Sequence, residues 1–448
     1  MALLYFTGGE CAPNQEFATV LGAQFTRTGG LPLDVLGAGG DNRGSGSWHM
    51  TMTNANGFDA RARRKFPVDG SGQDFYVKFA FTFSAEPQDD NAFLFTLYDV
   101  AGTTWTLFRR IYLDFNTGHE RKLTIVGLSS DYARTTTQWT INTNYLVTWH
   151  IHNESGNTYD ELKVYDDDGT LLETLSPGAW TYGAYTTDSI QFGQNMAKGG
   201  ANPNTAIKID HLVICDGSGD EFNVMPPLTT IVVATLPDGD STQEWKLADG
   251  STTSTYTVVD ELLANDATDY VRSMTTDAEL DMLCEIQGQS ELWDSDANPL
   301  DPSDYTLMAG DRIDGLQAAF RYRQGTASNA STMQFLWNDN GTEGAEAFSY
   351  NATEGWTCHR GGADVILAKF MTVTPSGGYP WPQSILDTFK IGLRKVSGAT
   401  DFWCTCINVQ ACISLGAGDY QVPAQGPTET AVDRVGAATF MGLSVGVA

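Results

Sequence analysis

Two histidines occupy alternate positions in the stretch YLVTWHIHN, at His150 and His152. Residues two apart on an extended strand point to the same face of a sheet, so the two imidazoles could bind a metal ion together with a carboxylate. The same spacing also suits a structural pair that only makes hydrogen bonds at a sheet surface. We favour the structural interpretation, and the sequence therefore predicts no metal site and no cofactor.

Three of the seven cysteines, Cys404, Cys406 and Cys412, form a C-x-C-x5-C pattern. With Cys358 and His359 they could supply the ligands of a structural zinc ion, but the C-x2-C pair of a zinc knuckle is missing. On a strand, Cys404 and Cys406 would share one face. We predict a strand of buried, apolar thiols, and the alternatives are a zinc site or a disulfide formed after release from the cell.

Acid pairs with the spacing that glycoside hydrolases use are absent from the sequence. A retaining enzyme needs two carboxylates close together on one face, which a strand motif such as E-x-D-x-x-E would provide. The acids in YDELKVYD (residues 159–166) and CEIQGQSE (residues 284–291) have other spacings. LYDVAGTTW (residues 97–105) contains part of a sugar-binding Asp-box, but an extra residue separates Asp99 from Gly102, and we interpret it as a hairpin. The sequence predicts a protein that is not an enzyme.

The acidic run in YDELKVYDDDGTLLETLS (residues 159–176) is either a calcium loop or a hairpin turn. An EF-hand loop needs acids at alternating positions and a Glu six residues beyond its Gly. Here the acids are consecutive, and Glu173 follows Gly169 by only four residues. The Asp168-Gly169 pair suits the left-handed backbone of a tight hairpin. We predict a hairpin in which Leu171 or Leu172, with Leu175, returns to the core.

Two loops carry aromatic residues next to Gly or Pro. GAWTYGAYTT presents Trp180, Tyr182 and Tyr185, and GGYPWPQS presents Tyr379 and Trp381. Exposed rings of this kind can stack on the faces of sugars, so these five residues are the candidate glycan-binding site. The alternative is that the rings cap a core or form a contact between subunits.

The elements that must position these residues are predicted to be mainly strands. In DFYVKFAFTFS (residues 74–84) the apolar side chains alternate with Tyr76, Lys78, Ala80 and Thr82, which indicates a half-buried strand. Helical periodicity is confined to two short stretches, at residues 258–266 and 277–286. With 46 Gly and 11% aromatic residues, the composition is typical of an all-β protein with many turns.

Charge and hydropathy exclude several function classes. The 55 acids and 26 bases give a net charge of −29, which repels nucleic acid and anionic membranes. The beginning of the sequence has no basic segment followed by a long apolar run, and we find no stretch long enough to span a bilayer. We therefore expect a protein made in a cytosol without a signal peptide, with no nucleic-acid partner and no membrane insertion.

The chain divides near residue 225, where Gly, Ser, acids and a Pro-Pro pair occur together (residues 216–230). We predict one jelly-roll domain at residues 1–225 and a second β-sandwich domain at residues 226–448. Three segments of the second half resemble segments of the first. RIDGLQAAFRYRQ resembles the strand at Phe75, and MQFLWNDNGTEGAEAFSY resembles the hairpin AFLFTLYDVAGTTWTLF. DTFKIGLRKV resembles the strand DSIQFGQNMA. We expect the apolar C-terminal segment Gly416–Ala448 to dock on its own domain or on a partner.

The run YLVTWHIHNESGNTYDELKVYDDDGTLLETLS resembles a hairpin that is widespread in concanavalin A-like lectin/glucanase jelly rolls, including laminin-G-like domains. Its matching residues are Trp149-His150, Val164, Asp168-Gly169 and Leu171. The resemblance implies an all-β fold of two antiparallel sheets in each domain. That family contains glycan-binding proteins and glycoside hydrolases as well as proteins without chemistry.

The opening MALLYFTGGE, the junction IDHLVICDGSGDEFN to TTIVVATLPDGDSTQEW, and YTVVDELLANDATDYVRS resemble structural proteins of tailed bacteriophages. This resemblance covers roughly residues 1–275, and DFWCTCINVQACISLGAGD near the C-terminus has no counterpart in the pattern. It implies a virion component assembled in the host cytoplasm, such as a head decoration or a tail appendage. Its partners would be other virion proteins and copies of itself, for instance in a trimer, with host surface glycans as a secondary ligand. The alternatives are an adhesin or tail fibre that binds host polysaccharide, and a depolymerase that cleaves it.

Overall fold

The computed structural model describes residues 3–7, 50–53, 62–70, 73–83, 92–101, 104–114, 121–127, 132–154, 157–177, 187–192, 206–217, 224–247, 249–252, 255–259, 271–273, 280–286, 307–324, 332–349, 357–359, 364–371, 381–397 and 402–416. Within these ranges the regular elements are β-strands and two short 3-10 helices, Thr255–Val258 and Gln383–Ile385. None of the described helices has the length and apolar character needed to cross a membrane. The prediction of an all-β fold is confirmed.

The first half of the chain contributes the strands β1 (Leu3–Thr7), β2 (Met50–Thr53), β3 (Ala62–Gly70), β4 (Asp74–Phe83), β5 (Ala92–Ala101), β6 (Thr104–Asp114), β7 (Lys122–Val126), β8 (Tyr132–Arg134), β9 (Tyr145–Glu154), β10 (Asn157–Tyr165), β11 (Leu171–Leu175), β12 (Thr187–Phe192) and β13 (Ala206–Asp216).

These strands form two antiparallel sheets that enclose a core. The first back sheet has the order β1-β13-β4-β9-β10-β11, with β2 also pairing with β13, and the first front sheet has the order β3-β12-β5-β6-β7-β8. The core draws on both sheets. It includes the five alternating apolar residues of β4, namely Phe75, Val77, Phe79, Phe81 and Phe83, as their spacing predicts.

The second half contributes β14 (Thr230–Thr235), β15 (Pro237–Gln243), β16 (Lys246–Leu247), β17 (Val271–Arg272), β18 (Leu280–Ile286), β19 (Arg312–Gln324), β20 (Thr332–Asp339), β21 (Thr342–Ser349), β22 (Thr357–His359), β23 (Asp364–Met371), β24 (Lys390–Ser397) and β25 (Phe402–Ser414). The second back sheet has the order β16-β17-β25-β19-β23-β22, with β14 also pairing with β25, and the second front sheet has the order β15-β18-β24-β20-β21. A separate core lies between these two sheets.

The two sandwiches share the connectivity of their central strands. The last strand of each half, β13 or β25, pairs with β4 or β19, and the order β12-β5-β6 in one front sheet corresponds to β24-β20-β21 in the other. The three pairs of similar sequence segments fall on these corresponding strands. The change of composition near residue 225 lies between the end of β13 at Asp216 and the start of β14 at Thr230.

The outer faces of the two back sheets pack against each other in a contact that we call the seam. Its apolar part consists of Leu3, Phe6, Val213, Cys215, Val232 and Cys412. Its polar part includes the Lys78 ammonium, which donates to the Thr230 carbonyl oxygen at 2.5 Å. At a bulge in β13, His211 takes a left-handed conformation with φ 46°, and its Nδ1 accepts a hydrogen bond from the Val232 N–H at 3.2 Å.

The seam corrects the prediction that β4 is half buried. Lys78 on its outer face is 0% exposed, and Ala80 and Thr82 are also buried. An amphipathic strand normally turns its polar face to water, but here the second sandwich covers part of that face. Nothing within residues 74–84 encodes that covering, because the residues that provide it lie more than a hundred positions away.

The predicted helical stretch at residues 277–286 is wrong, because residues 280–286 form the strand β18. Met282, Cys284 and Ile286 enter the second core, which is the period-two pattern of a strand. The predicted stretch at residues 258–266 has only its first residue in the 3-10 helix Thr255–Val258, and residues 260–266 lie outside the described ranges.

The acidic run forms the hairpin between β10 and β11, as predicted. Gly169 has φ 79° and donates its N–H to the Asp166 carbonyl oxygen, while Asp168 keeps an ordinary backbone conformation. The prediction for the leucines is only partly right. Leu175 packs against the core, but Leu171 and Leu172 are exposed, because β11 ends the sheet and no described strand covers it.

Candidate metal centre

A row of polar and aromatic side chains crosses the outer face of the first back sheet at one end of β4. In the strand pairing, Asp74 of β4 lies opposite His152 of β9, and His152 lies opposite Tyr159 of β10. Tyr76 of β4 lies opposite His150 of β9. Antiparallel neighbours and alternate residues on a strand share a face, so this pairing brings all five side chains together.

The Asp74 carboxylate joins the two histidines through one oxygen. Its Oδ1 lies 2.7 Å from His150 Nε2 and 2.7 Å from His152 Nδ1. Among the described residues, these three form the one group of His, Cys, Asp and Glu side chains whose ligand atoms all lie within 4.8 Å of one another. The three side chains are each 14–30% exposed, so the group is open to solvent on one side.

Two tyrosine rings fix the planes of the imidazoles. Tyr76 stacks on His150 with centroids 4.8 Å apart, and Tyr159 stacks on His152 at the same distance. Tyr159 also meets the His150 ring edge-on at 5.5 Å. Such ring contacts restrict the side-chain torsions, so the two nitrogen atoms keep their direction toward Asp74.

The electrostatics of the group favour a negative charge on Asp74. Burial by itself would raise the pKa of this carboxyl, but the hydrogen bonds from His152 and His150 outweigh burial and hold the pKa below its ordinary value. Burial and the neighbouring Asp74 charge raise the pKa of Tyr76, so its phenol stays neutral. Glu154 adds a second carboxylate, with its Oε2 3.6 Å from His152 Nε2.

Sequence reasoning identified the two histidines but not Asp74 as their partner. The histidine spacing predicts that they share a face, whereas the choice of carboxylate depends on which strand lies beside β9 and in which register. Asp74 begins the alternating strand β4 on the same face as Tyr76. This position was the one signal in the sequence that a carboxylate lies on the outer face. The sequence does not encode the pairing of β4 with β9 in any local pattern.

The five aromatic residues predicted to bind glycans do not belong to the group around Asp74. Trp180, Tyr182, Tyr185 and Tyr379 lie outside the described residues. Trp381 is 2% exposed and packs edge-on against Phe389 in the second core, at a centroid distance of 5.4 Å. The exposed ring expected at Trp381 is therefore not found there, and this residue follows the alternative in which the aromatic caps a core. A bridge to Ile313 holds it there, in which the Trp381 N–H donates to the Ile313 carbonyl oxygen.

The cysteines of β25 do not converge on a common point. Cys404 belongs to the second core, whereas Cys412 belongs to the seam on the other face of the strand. A bulge opposite Arg321 and Tyr322 interrupts the alternation after Cys404. A zinc ion bound by both Cys404 and Cys412 is thereby excluded, and both thiols are buried and form no disulfide, as predicted for apolar cysteines. The side chains of Cys358, His359 and Cys406 lie outside the described part of the structure.

Three of the acids that were considered for glycoside hydrolysis have structural partners, and Glu291 lies outside the described residues. Asp160 is buried against Arg109, and Glu161 pairs with Lys163 at 2.6 Å. Glu285 pairs with Lys390 at 2.9 Å. The partial Asp-box forms the plain hairpin of β5 and β6, with Ala101 opposite Thr104.

No protein-family model and no curated protein matches the sequence. Solved structures with similar strands include lectin II from Ulex europaeus, which is 11% identical with a TM-score of 0.27 over 38% of this chain and 88% of that chain. A legume lectin-like domain from Entamoeba histolytica is 8% identical with a TM-score of 0.27, covering 38% and 84%. The Trypanosoma rangeli sialidase is 15% identical with a TM-score of 0.24, covering 46% and 35%. Similarities this low carry no argument about ligands or activity, so the fold class rests on the strand pairing described above.

Proposed function

We propose that the chain is a non-enzymatic structural protein displayed on the virion of a tailed bacteriophage, as a head decoration or a tail appendage. In this role it associates with copies of itself and with other virion proteins. Its mechanism is contact between preformed surfaces, and glycan binding for attachment to the host is secondary.

The observation that carries the proposal is the free edge of the first back sheet. Strand β11 ends that sheet among the described residues, and its first two residues, Leu171 and Leu172, are 48% and 46% exposed. An edge strand presents unpaired N–H and C=O groups, and proteins that remain monomeric usually protect such edges with charge or proline. Two adjacent leucines do the opposite, because they add apolar surface to an unpaired edge.

A second copy of the chain is the occupant that this edge suits best. Two β11 strands related by a twofold axis would pair in antiparallel fashion and extend the sheet across both subunits. The Glu173 carboxylate accepts hydrogen bonds from the backbone N–H groups of Thr136 and Thr137, which holds β11 in place without a partner.

The seam supports the same role because it joins the two sandwiches through buried apolar residues. A decoration or an appendage transmits contact through its shape, and a buried contact between the sandwiches helps to keep that shape. The phage-like segments at the start of the chain and at the junction near residue 225 support the location on a virion. The net charge of −29 would keep the outer faces of neighbouring particles apart.

The oligomeric state tests the edge contact. Light scattering after size exclusion should give a homo-oligomer for the unchanged protein, and Leu172→Lys should shift the population to monomers, because a charge on the edge must be desolvated when the strands pair. Val224→Lys is the matched control, since Val224 is 64% exposed but lies outside the sheet edge. A monomeric unchanged protein, or equal effects of the two substitutions, would refute self-association through β11.

Two further measurements test the virion role itself. Mass spectrometry of purified particles of a phage that encodes the chain should detect it in a fixed ratio to the major capsid or tail protein. Incubation of the purified protein with host capsule should leave the polysaccharide chain length unchanged. Sustained depolymerisation would replace the structural role with an enzymatic one, and absence of the chain from particles would end the proposal.

A further inference from the structure

We propose that Asp74, His150 and His152 form a binding site for one divalent transition-metal ion, with Zn²⁺ as the representative ion. This departs from the purely structural interpretation that the sequence favours for the histidine pair. It does not depend on the virion role, because it concerns only the outer face of the first back sheet.

The donor set is the first argument. Two imidazoles and one carboxylate on one face are a common ligand set for divalent metals such as zinc and iron, and they leave coordination positions open for water or a further ligand. The neighbouring Glu161 carboxylate pairs with Lys163 and is not needed for this ligand set. Asp74 Oδ1 lies within hydrogen-bond distance of both histidines, so its oxygen and the two nitrogens already point at a common region.

The distances are the second argument. The Asp74 oxygen lies 2.7 Å from each ring nitrogen, which is a hydrogen-bond separation. Ligand atoms about 2.0–2.1 Å from a tetrahedral zinc ion lie roughly 3.3 Å from one another. An opening of roughly half an ångström, which small side-chain rotations provide, turns the hydrogen-bonded group into a coordination site.

Preorganisation is the third argument. All three residues stand on strands β4 and β9, which lie inside the sheet and pair with neighbours on both sides. Tyr76 and Tyr159 hold the two imidazole planes by stacking. A site whose ligands already face one another loses little conformational entropy when the ion binds.

The charge around the group is the fourth argument. The Asp74 carboxylate supplies a negative charge at neutral pH. Glu154 lies beside the second nitrogen of His152 at 3.6 Å, where a carboxylate can orient a metal-binding histidine from the far side. Glu161 and Lys163 form an ion pair and largely neutralise each other, so Asp74 and Glu154 leave a negative local charge, which attracts a cation.

The test is calorimetric titration of the full chain with Zn²⁺ after removal of metal by chelation. We expect one equivalent to bind to the unchanged protein, and Asp74→Asn and His152→Gln each to weaken that binding by at least about tenfold. Glu161→Gln is the matched control, because it removes one negative charge from the neighbouring position on the same face without removing a ligand, and it should change the affinity less than about twofold. Thermal melts of all variants without metal establish that each one folds.

A second measurement separates this site from adventitious binding by cysteine thiols. In histidine-detected NMR, one equivalent of Zn²⁺ should shift the ring signals of His150 and His152 and leave those of the other four histidines unchanged. Failure of the unchanged protein to bind Zn²⁺ would overturn the proposal. So would one equivalent bound with the same affinity by the Asp74→Asn and His152→Gln variants, or a titration that leaves both histidine signals in place.

Discussion

Arg109 and Asp160 form a fully buried ion pair that joins the two sheets of the first sandwich. Arg109 stands on β6 of the front sheet and Asp160 on β10 of the back sheet, and Arg109 Nε lies 3.2 Å from each carboxylate oxygen. The guanidinium also donates from Nη1 to the Phe108 carbonyl oxygen and lies over the Phe108 ring. Removing one member of such a pair leaves the other charge without its partner inside the core.

In the Arg109→Met variant, the unpaired Asp160 carboxyl should make the free energy of unfolding depend on pH. Burial raises the pKa of Asp160 to about 6, although the Arg109 charge lowers it, so loss of Arg109 should raise the pKa further. A carboxyl whose folded pKa exceeds its unfolded value stabilises the fold at low pH and loses that contribution as the pH rises through the folded pKa. The deficit in unfolding free energy relative to the unchanged protein should therefore grow from about pH 6 to pH 8, by about 1.4 kcal/mol for each unit of added shift.

Urea denaturation at several pH values measures this deficit. Arg110→Met is the control, because the Arg110 side chain is only part-buried and bonds to the Thr96 hydroxyl at 3.3 Å. Its deficit should be constant across the same pH range. A deficit for Arg109→Met that does not change with pH would show that Asp160 keeps its charge by some other contact.

At the scale of the elements, the spacing between strands depends on the absence of side chains at particular points. Gly392 of β24 lies opposite Leu283 of β18, and a Cβ at Gly392 would overlap the Met282 carbonyl oxygen. Backbone atoms in a central pair of strands cannot move aside as the end of a flexible side chain can. The second front sheet therefore requires glycine at this position.

Gly392→Ala should destabilise the second sandwich by about 1–3 kcal/mol, which is the usual cost of overpacking a well-packed site. Gly239→Ala is the matched control, because the nearest atoms to its added Cβ belong to the Glu285 side chain, which can rotate away. Thermal or urea unfolding of both variants measures the difference. Equal stabilities would show that β18 and β24 can separate slightly without loss.

The whole molecule depends on the seam. Its apolar residues lie on the outer faces of both back sheets, so each sandwich uses one sheet to enclose its own core and also to contact the other sandwich. Hydrogen bonds across the junction make the contact specific as well as apolar: the buried Lys78 ammonium donates to the Thr230 carbonyl oxygen, and the His211 ring accepts from the Val232 N–H. We therefore expect each sandwich to raise the free energy of unfolding of the other.

Val232→Asp tests the seam, because it places a carboxylate among the seam residues while the two cores stay intact. We expect a loss of roughly 3–5 kcal/mol in the coupling between the sandwiches. In calorimetry this should appear as separate unfolding transitions, with the β content of the folded protein unchanged by circular dichroism. Val224→Asp makes the same exchange at an exposed position and should leave the calorimetric trace as it is in the unchanged protein.

Several features of this protein could be predicted from the sequence because they depend on local alternation or local turn geometry. The inward row from Phe75 to Phe83 follows from period two, and the hairpin at Gly169 follows from a glycine that can take a positive φ. The same local reasoning failed for residues 277–286. There, three core residues at alternate positions lie among helix-forming neighbours, so the sequence alone did not distinguish a helix from a strand.

The sequence by itself determined that the chain folds into β-sandwiches, that segments of the two halves resemble each other, and that His150 and His152 share a face. Only the tertiary structure decided which carboxylate lies between those histidines, that Trp381 is buried, and that Lys78 lies in a contact between two sandwiches. The reason is that alternation fixes the face to which a side chain points. What lies on the far side of that face is set by the pairing and packing of strands that are distant in the chain.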